Sequence, residues 1–211
     1  MHRLDLLVRK ELARRGIRWE VIERACQQIV LFGSSALSDC KMTGDIDLLC
    51  VGTGTRLKNR HVDLVWYSPT RINEQAWLGS ELANHIAHFG KWLHGTDNWT
   101  HRVFVSNNAI RLKRRLIVGR ARGLERLWDS LRPEYRKKHA TKLRRDIQRL
   151  RLLKSSAPIV PSPVLDQQWR KEAAKAEEPW KLLITRYRAT FLPRRQLRLI
   201  SDLLAGDKRG I

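Results

Sequence analysis

The chain is short of acidic side chains and of cysteine, and it lacks a long apolar run. Its 211 residues carry 21 Asp and Glu against 42 Lys and Arg, which gives a formal net charge of +21. The three cysteines, Cys26, Cys40 and Cys50, have no C-x-x-C spacing, which disfavours a disulfide framework and a cysteine zinc site. No stretch approaches the ~18 apolar residues of a membrane helix. We therefore expect no membrane-spanning segment.

The first sixteen residues differ from a secretory signal. Charged residues interrupt their apolar positions, and no small-residue cleavage site follows. Together with the few cysteines, this predicts a reducing, cytoplasmic compartment. Hydrophobic residues make up 42% of the chain, which is enough to build a packed core.

Positive charge is concentrated in the second part of the chain. Residues 1–80 carry 12 basic and 9 acidic side chains, whereas residues 81–211 carry 30 and 12. The segment 102–154 has 18 basic and 4 acidic side chains, and its arginines outnumber its lysines. Such a charge attracts polyanions. Nucleic acid is the first candidate partner, ahead of an anionic membrane or an acidic protein. The alternative is a solvated basic surface without a dedicated partner.

Hydrophobic spacing in the first 80 residues predicts helices followed by strands. Apolar residues at helical spacing over 3–15 and 19–26 indicate two amphipathic helices. Apolar runs bounded by turn residues predict buried strands at 29–32, 45–51 and 61–67.

The pattern becomes helical after residue 73. We expect one or two helices that end near Gly95, a Pro-rich connector over 157–164, and further helices over 107–120, 134–154, 165–178, 180–191 and 193–205. The expected fold class is α/β (α+β), in which a small mixed sheet is flanked by helices. We expect a domain at residues 1–105 and a basic helical region at 106–211.

Three aspartates stand out between residues 45 and 63. Alternation along a strand puts Asp45 and Asp47 on the same side, about 6.5–7 Å apart along the strand. Asp63 lies in the next predicted strand and neighbours them if the two strands pair. Three close carboxylates repel one another, and Mg²⁺ is a hard cation that takes oxygen ligands. Two such ions would clamp the attacking and leaving oxygens of a phosphoryl transfer.

A small-residue turn follows the first predicted strand. Gly33 allows close approach of the backbone to a phosphate. The backbone amides of this turn, with the hydroxyls of Ser34 and Ser35, form a candidate site for a triphosphate.

The order of these features resembles the nucleotidyltransferase superfamily of the DNA polymerase beta type. The matching residues read LFGSSALSDCKMTGDIDLLCV from Leu31, followed by HVDLVW from His61. The resemblance covers roughly residues 29–67 and is nearest to the small, stand-alone bacterial members. It implies transfer of a nucleoside monophosphate from an NTP to a hydroxyl, with release of pyrophosphate.

The resemblance also implies roles for individual residues. Asp45, Asp47 and Asp63 would hold two Mg²⁺ ions, with Asp63 on the ion nearest the acceptor and able to take its proton. Gly33 and Ser34 would hold the donor phosphates.

Several functions remain open at this point. The basic half favours a nucleic-acid acceptor, RNA above all, but the same chemistry on a small molecule or a protein hydroxyl stays possible. A non-catalytic nucleic-acid-binding or antitoxin-like protein with this fold is a further alternative. In the plainest interpretation, the aspartates are strand-edge carboxylates and Gly33 is an ordinary turn glycine.

Other features are expected to be structural. The histidines at 85, 88, 94 and 101 have no carboxylate or cysteine at ligand spacing, which favours packing and surface roles. Trp92 is expected in the core rather than stacked on a base. Arg144-Arg145-Asp146 is interpreted as part of a basic helix face.

Overall fold

The computed structural model describes residues 3–37 and 45–205. Contacts divide the chain into two units. The first, called the core unit, comprises residues 1–106 and 158–161; the second, called the helical unit, comprises residues 107–157 and 162–211.

The core unit contains a sheet whose described part has five strands, in the order β3-β4-β2-β1-β5. Its elements are α1 Arg3–Ala13, α2 Trp19–Ala25, β1 Cys26–Phe32, β2 Ile46–Gly52, β3 Leu57–Lys58, β4 Val62–Tyr67, α3 Gln75–Leu78, α4 Glu81–Phe89 and β5 Lys91–His94. β2 and β4 pair in parallel, and the other neighbours are antiparallel. This sheet confirms the predicted α/β class with a small mixed sheet.

Helices cover both faces of the sheet. On one face Ile46 and Leu48 pack with Val8 and Leu12 of α1. On the other, Leu49 packs with side chains of α3 and α4. The strand alternation expected from the sequence is therefore present in β2, because neighbouring apolar residues point to opposite layers.

The helical unit has its own core. Its helices are α5 Asn107–Arg126, α6 Pro133–Lys154, α7 Ser162–Ala173, α8 Pro179–Thr185 and α9 Arg194–Ala205. Ile117 of α5 packs with Leu143 and Ile147 of α6, and Leu183 and Leu197 complete the cluster. Among the described residues, no helix of the chain is long and apolar enough to cross a membrane.

The expectation of helix up to Gly95 is wrong. α4 ends at Phe89, where the chain becomes extended at Gly90, and β5 then pairs with the edge of β1. Trp92 packs on one side of the sheet and Leu93 on the other. The alternation of β5 is only four residues long and directly follows a helical pattern, so the sequence analysis extended the helix instead of predicting a strand. The two-residue strand β3 was also missed, because its length gives no periodic signal.

The interpretation of Arg144 and Asp146 as a basic helix face is also wrong. Both side chains are 2% exposed. Asp146 is paired with Lys113 and Arg120 of α5, and Arg144 is paired with Asp166 of α7. These ion pairs tie α6 to its neighbours within the helical unit, since a buried charge requires a partner.

α5 continues beyond the predicted end at 120, through Gly119 and Gly123, to Arg126. A Cβ at either glycine would meet no atom within 4 Å. Packing within the described structure therefore does not require glycine at these positions.

We predict that Gly119→Ala and Gly123→Ala each raise the free energy of unfolding, by about 0.5–1 kcal/mol, because glycine is a poor helix former. Chemical denaturation of each variant measures the change. Gly90→Ala is the matched control and should be destabilising, since its Cβ would lie 2.6 Å from the Ile86 carbonyl oxygen. Loss of stability in the two α5 variants would contradict the prediction.

Candidate active site

Three strands bring the candidate residues to one edge of the sheet. Asp47 and Asp63 are each the second residue of their strand, and the parallel register of β2 and β4 sets them side by side. Asp47 is also opposite Phe32, the last residue of β1, and Gly33 follows directly. The structure therefore places Gly33 and two of the three predicted aspartates together.

Asp47 is the most perturbed of the three carboxyls. Burial, and then the charges of Asp63 and Asp45, raise its pKa to about 6. Its negative charge is thus poorly compensated by the surrounding protein. A cation bound here would favour the ionised form of Asp47.

Asp63 is paired with two cations that the sequence analysis did not identify. Lys58 Nζ lies 2.8 Å from Asp63 Oδ2, and Arg56 Nη2 lies 3.1 Å from the same oxygen. Partial burial acts to raise the pKa of Asp63, but the hydrogen bonds from Arg56 and Lys58 outweigh it and the pKa is lowered. Both cationic side chains are largely exposed. The alternate spacing of two basic residues before a strand was the available signal.

Asp45 lies just before β2, and its side chain is 63% exposed. His61 Nδ1 lies 3.9 Å from Asp45 Oδ1. The Ser35 hydroxyl donates a hydrogen bond of 2.8 Å to the Asp45 carbonyl oxygen. Ser35 thus joins the two ends of the intervening loop.

The donor chemistry of the site fits a hard cation in part. Asp45 and Asp47 offer carboxylate oxygens of the kind that Mg²⁺ prefers, and the raised pKa of Asp47 reflects uncompensated negative charge. Within residues 3–37 and 45–205, however, no three His, Cys, Asp or Glu side chains are grouped as metal ligands. Asp63 is turned toward Arg56 and Lys58. It would have to exchange these partners to join a metal site.

The turn after β1 lies against the Asp47 carboxylate. Gly33 has φ +74°, and a Cβ there would be 2.3 Å from Asp47 Oδ2. Ser34 is half-buried, and the described residues offer its side chain no hydrogen bond. Ser35 is fully buried, which leaves Ser34 as the accessible hydroxyl of the turn.

His85 of α4 holds this turn, a role that the sequence analysis missed. The Gly33 N–H donates to His85 Nε2 at 3.3 Å, so Nε2 carries the lone pair. The proton is then on Nδ1, which donates to the Ile159 carbonyl oxygen at 2.6 Å. The neighbouring Asn84 accepts a hydrogen bond from the Ile159 N–H at 2.9 Å. No local pattern could reveal these contacts, because the partners of His85 are 52 and 74 residues away.

Comparison with known proteins gives little further support. No protein-family model matches the chain, and no curated protein matches it. A solved structure of a nucleotidyltransferase-like protein from Exiguobacterium sibiricum 255-15 is similar at a TM-score of 0.38 and 15% sequence identity. The match covers 93% of this chain and 73% of that one. So low a TM-score carries no functional assignment.

We predict that Gly33→Ala is more destabilising than Gly16→Ala, although both glycines have a positive φ. Gly16 has φ +72° and open space around it, so alanine there costs about 1 kcal/mol of backbone strain. At Gly33 the new Cβ also collides with Asp47, which should bring the loss to about 3 kcal/mol.

Denaturation curves of the two variants and of Gly33→Ala combined with Asp47→Ala measure this difference. The double variant should recover part of the loss, since it removes the colliding carboxylate. Equal losses at Gly16 and Gly33, without recovery, would show that the turn is not packed against Asp47.

Proposed function

We propose that the chain is a metal-dependent nucleotidyltransferase. It transfers a nucleoside monophosphate from an NTP to a hydroxyl of a nucleic acid, with RNA as the favoured acceptor. The observation that carries this proposal is the in-register pair of Asp47 and Asp63 beside the Gly33 turn. Paired carboxylates next to a glycine turn suit phosphoryl transfer, since the carboxylates take cations and the turn admits a phosphate.

Each residue has a defined role in this proposal. Asp45 and Asp47 would hold Mg²⁺, and Asp63 would join them once released from Arg56 and Lys58. When bound, the metal would neutralise negative charge on the phosphates and on the attacking oxygen. Asp63 accepts the proton of the acceptor hydroxyl while that oxygen bonds to the α-phosphorus. The bond from the α-phosphorus to the bridging oxygen breaks, and pyrophosphate leaves.

The Gly33 turn and the cations Arg56 and Lys58 are assigned to the triphosphate. The Gly33 amide is already used by His85, so Gly33 contributes its lack of a side chain rather than its N–H. The Ser34 hydroxyl is the contact proposed for the donor phosphates. Ser35 acts through Asp45, whose carbonyl it holds. Arg56 and Lys58, when displaced from Asp63 by a metal, become available to the phosphates.

The first test is label transfer. We predict that the protein with Mg²⁺, an α-labelled NTP and total cellular RNA labels the RNA, and that Asp47→Asn abolishes this. Asp129→Asn is the matched control, because Asp129 is an exposed carboxylate in the other unit, and it should retain activity.

The other outcomes identify the rival functions. Label on a small molecule or on protein in an added extract would keep the chemistry and replace the acceptor. No transfer from any of the four NTPs, with RNA binding unchanged by Asp47→Asn, would overturn the proposal in favour of a non-catalytic binding protein.

A second test concerns the cations on Asp63. We predict that Arg56→Gln combined with Lys58→Gln tightens the binding of Mg²⁺ alone by roughly threefold to tenfold. The ion then has no competing partners to displace, and an exposed ion pair is worth up to about 1 kcal/mol. The same variant should bind NTP more weakly, since two phosphate contacts are lost.

Titration calorimetry with Mg²⁺ and with an NTP measures both changes. Lys10→Gln combined with Arg24→Gln is the control, because it removes the same charge from exposed positions of the core unit. If both double variants tighten Mg²⁺ equally, overall charge explains the effect, and Asp63 is not a metal ligand.

A further inference from the structure

The outward face of α5 carries a row of exposed arginines. At 100° per residue, Arg115 and Arg126 lie nearly opposite Ile117, the buried centre of the inward face. Arg111 and Arg122 lie beside them, and all four are exposed. We call these four residues the arginine ridge.

Two acidic side chains close to the ridge are paired with other cations. Asp146 pairs with Lys113 and Arg120 on the inward side of α5. Glu125, the sole acidic residue in the sequence of α5, pairs with Arg195. The four ridge arginines form no ion pair with any residue in the described part of the chain. Their charge is thus open to a ligand.

An apolar strip runs along the ridge. It consists of Leu112, Leu116, Gly119, Gly123 and Leu127, and the three leucines are 55%, 40% and 54% exposed. The glycines leave the helix backbone uncovered, since a Cβ at either would meet nothing within 4 Å. We call these five residues the leucine–glycine strip.

The strip leads to a cavity of about 210 Å³ inside the helical unit. Gly123, Leu124, Leu127 and Leu131 form its apolar wall, and Arg120, His139 and Lys142 add basic groups. This combination suits a nucleotide, whose base can pack on the apolar wall while its phosphate contacts the basic groups.

We propose that this face of α5 binds single-stranded RNA, with the phosphates on the arginine ridge and the bases against the leucine–glycine strip. The inference rests on the proposed function, in which this strand is the acceptor. From Arg111 to Arg126 the ridge covers 16 residues, an axial rise of about 22 Å. At the 3.4 Å per nucleotide of a fully stacked strand, that length holds at most about six nucleotides. Arginine suits phosphate because its planar fork donates two hydrogen bonds at once.

The geometry favours a single strand over other polyanions. An A-form duplex keeps its bases in a deep groove that side chains cannot read, which would leave the leucines exposed. A membrane surface requires a broad apolar face that enters the lipid, whereas this strip offers three leucines separated by glycines. Like charge on the ridge opposes pairing with a second copy of the same face.

The test compares two variants of equal charge. One carries Arg111→Gln, Arg115→Gln, Arg122→Gln and Arg126→Gln; the control carries Lys154→Gln, Arg170→Gln, Lys171→Gln and Lys175→Gln at other exposed positions of the helical unit. Fluorescence anisotropy with a labelled, unstructured 12-nucleotide RNA is recorded over a salt series. The slope of log K against log salt should fall by about 2–3 in the ridge variant, at about 0.7 per phosphate contact. The control should change far less.

A third variant tests the strip without changing charge. Gly119→Gln combined with Gly123→Gln places side chains where the strand is proposed to lie, and glutamine is a better helix former than glycine. Its melting temperature should not fall, while its RNA affinity should drop by about tenfold at an unchanged salt slope. Affinity equal to that of the wild type would overturn the placement of the strand on this face.

The remaining outcomes separate this inference from the catalytic proposal. Binding is measured without NTP and also in Asp47→Asn, so loss of turnover does not affect it. Equal losses in the ridge and control variants would show that net charge, not this face, holds the RNA. Ridge-dependent binding to polyglutamate or to vesicles of phosphatidylserine, without ridge-dependent RNA binding, would overturn the choice of ligand. Ridge-dependent RNA binding without label transfer would overturn the proposed function and leave this inference standing.

Discussion

The parallel register of β2 against β4 sets Asp47 directly beside Asp63, and like charges so close require compensation. The protein divides that compensation unequally. Asp63 is paired with Lys58 of β3 and with Arg56, which directly precedes β3. Asp47 instead lies against the Gly33 turn, and burial and the neighbouring carboxylates raise its pKa. This edge of the sheet therefore carries one carboxylate that the protein neutralises and one that favours a cation.

The helical unit must also compensate like charges, but there the excess charge is positive. It has many cations and few acids, and it uses Asp146 and Asp166 to hold four of the cations between helices. Because these charges are paired, the helical unit avoids the free-energy cost of an unpaired charge in its interior. On α5, Arg111, Arg115, Arg122 and Arg126 lie outside these pairs and are exposed, so this helix presents a basic surface to solvent.

Sequence patterns predicted the parts of this protein whose signals are local. The three strands follow from short apolar runs bounded by turn residues, and the opposite orientation of Asp47 and Ile46 follows from alternation along one of them. The sequence analysis missed β5 because pairing with the edge of β1, not intrinsic strand propensity, determines its conformation. The roles of Arg56 and His85 depend on partners brought in by the sheet and by residue 159. The Ile159 partner of His85 leaves no trace in a local window of sequence, whereas the alternate spacing of Arg56 and Lys58 is a local signal.

Ile159 has a consequence for how the chain can be divided. It belongs to the core unit although it lies between α6 and α7 of the helical unit. A fragment that stops at residue 106 would lack it, and the buried side chains of Asn84 and His85 would lose their backbone partners. The core unit is thus a discontinuous domain, completed late in synthesis by four residues that are added after α5 and α6 have been made.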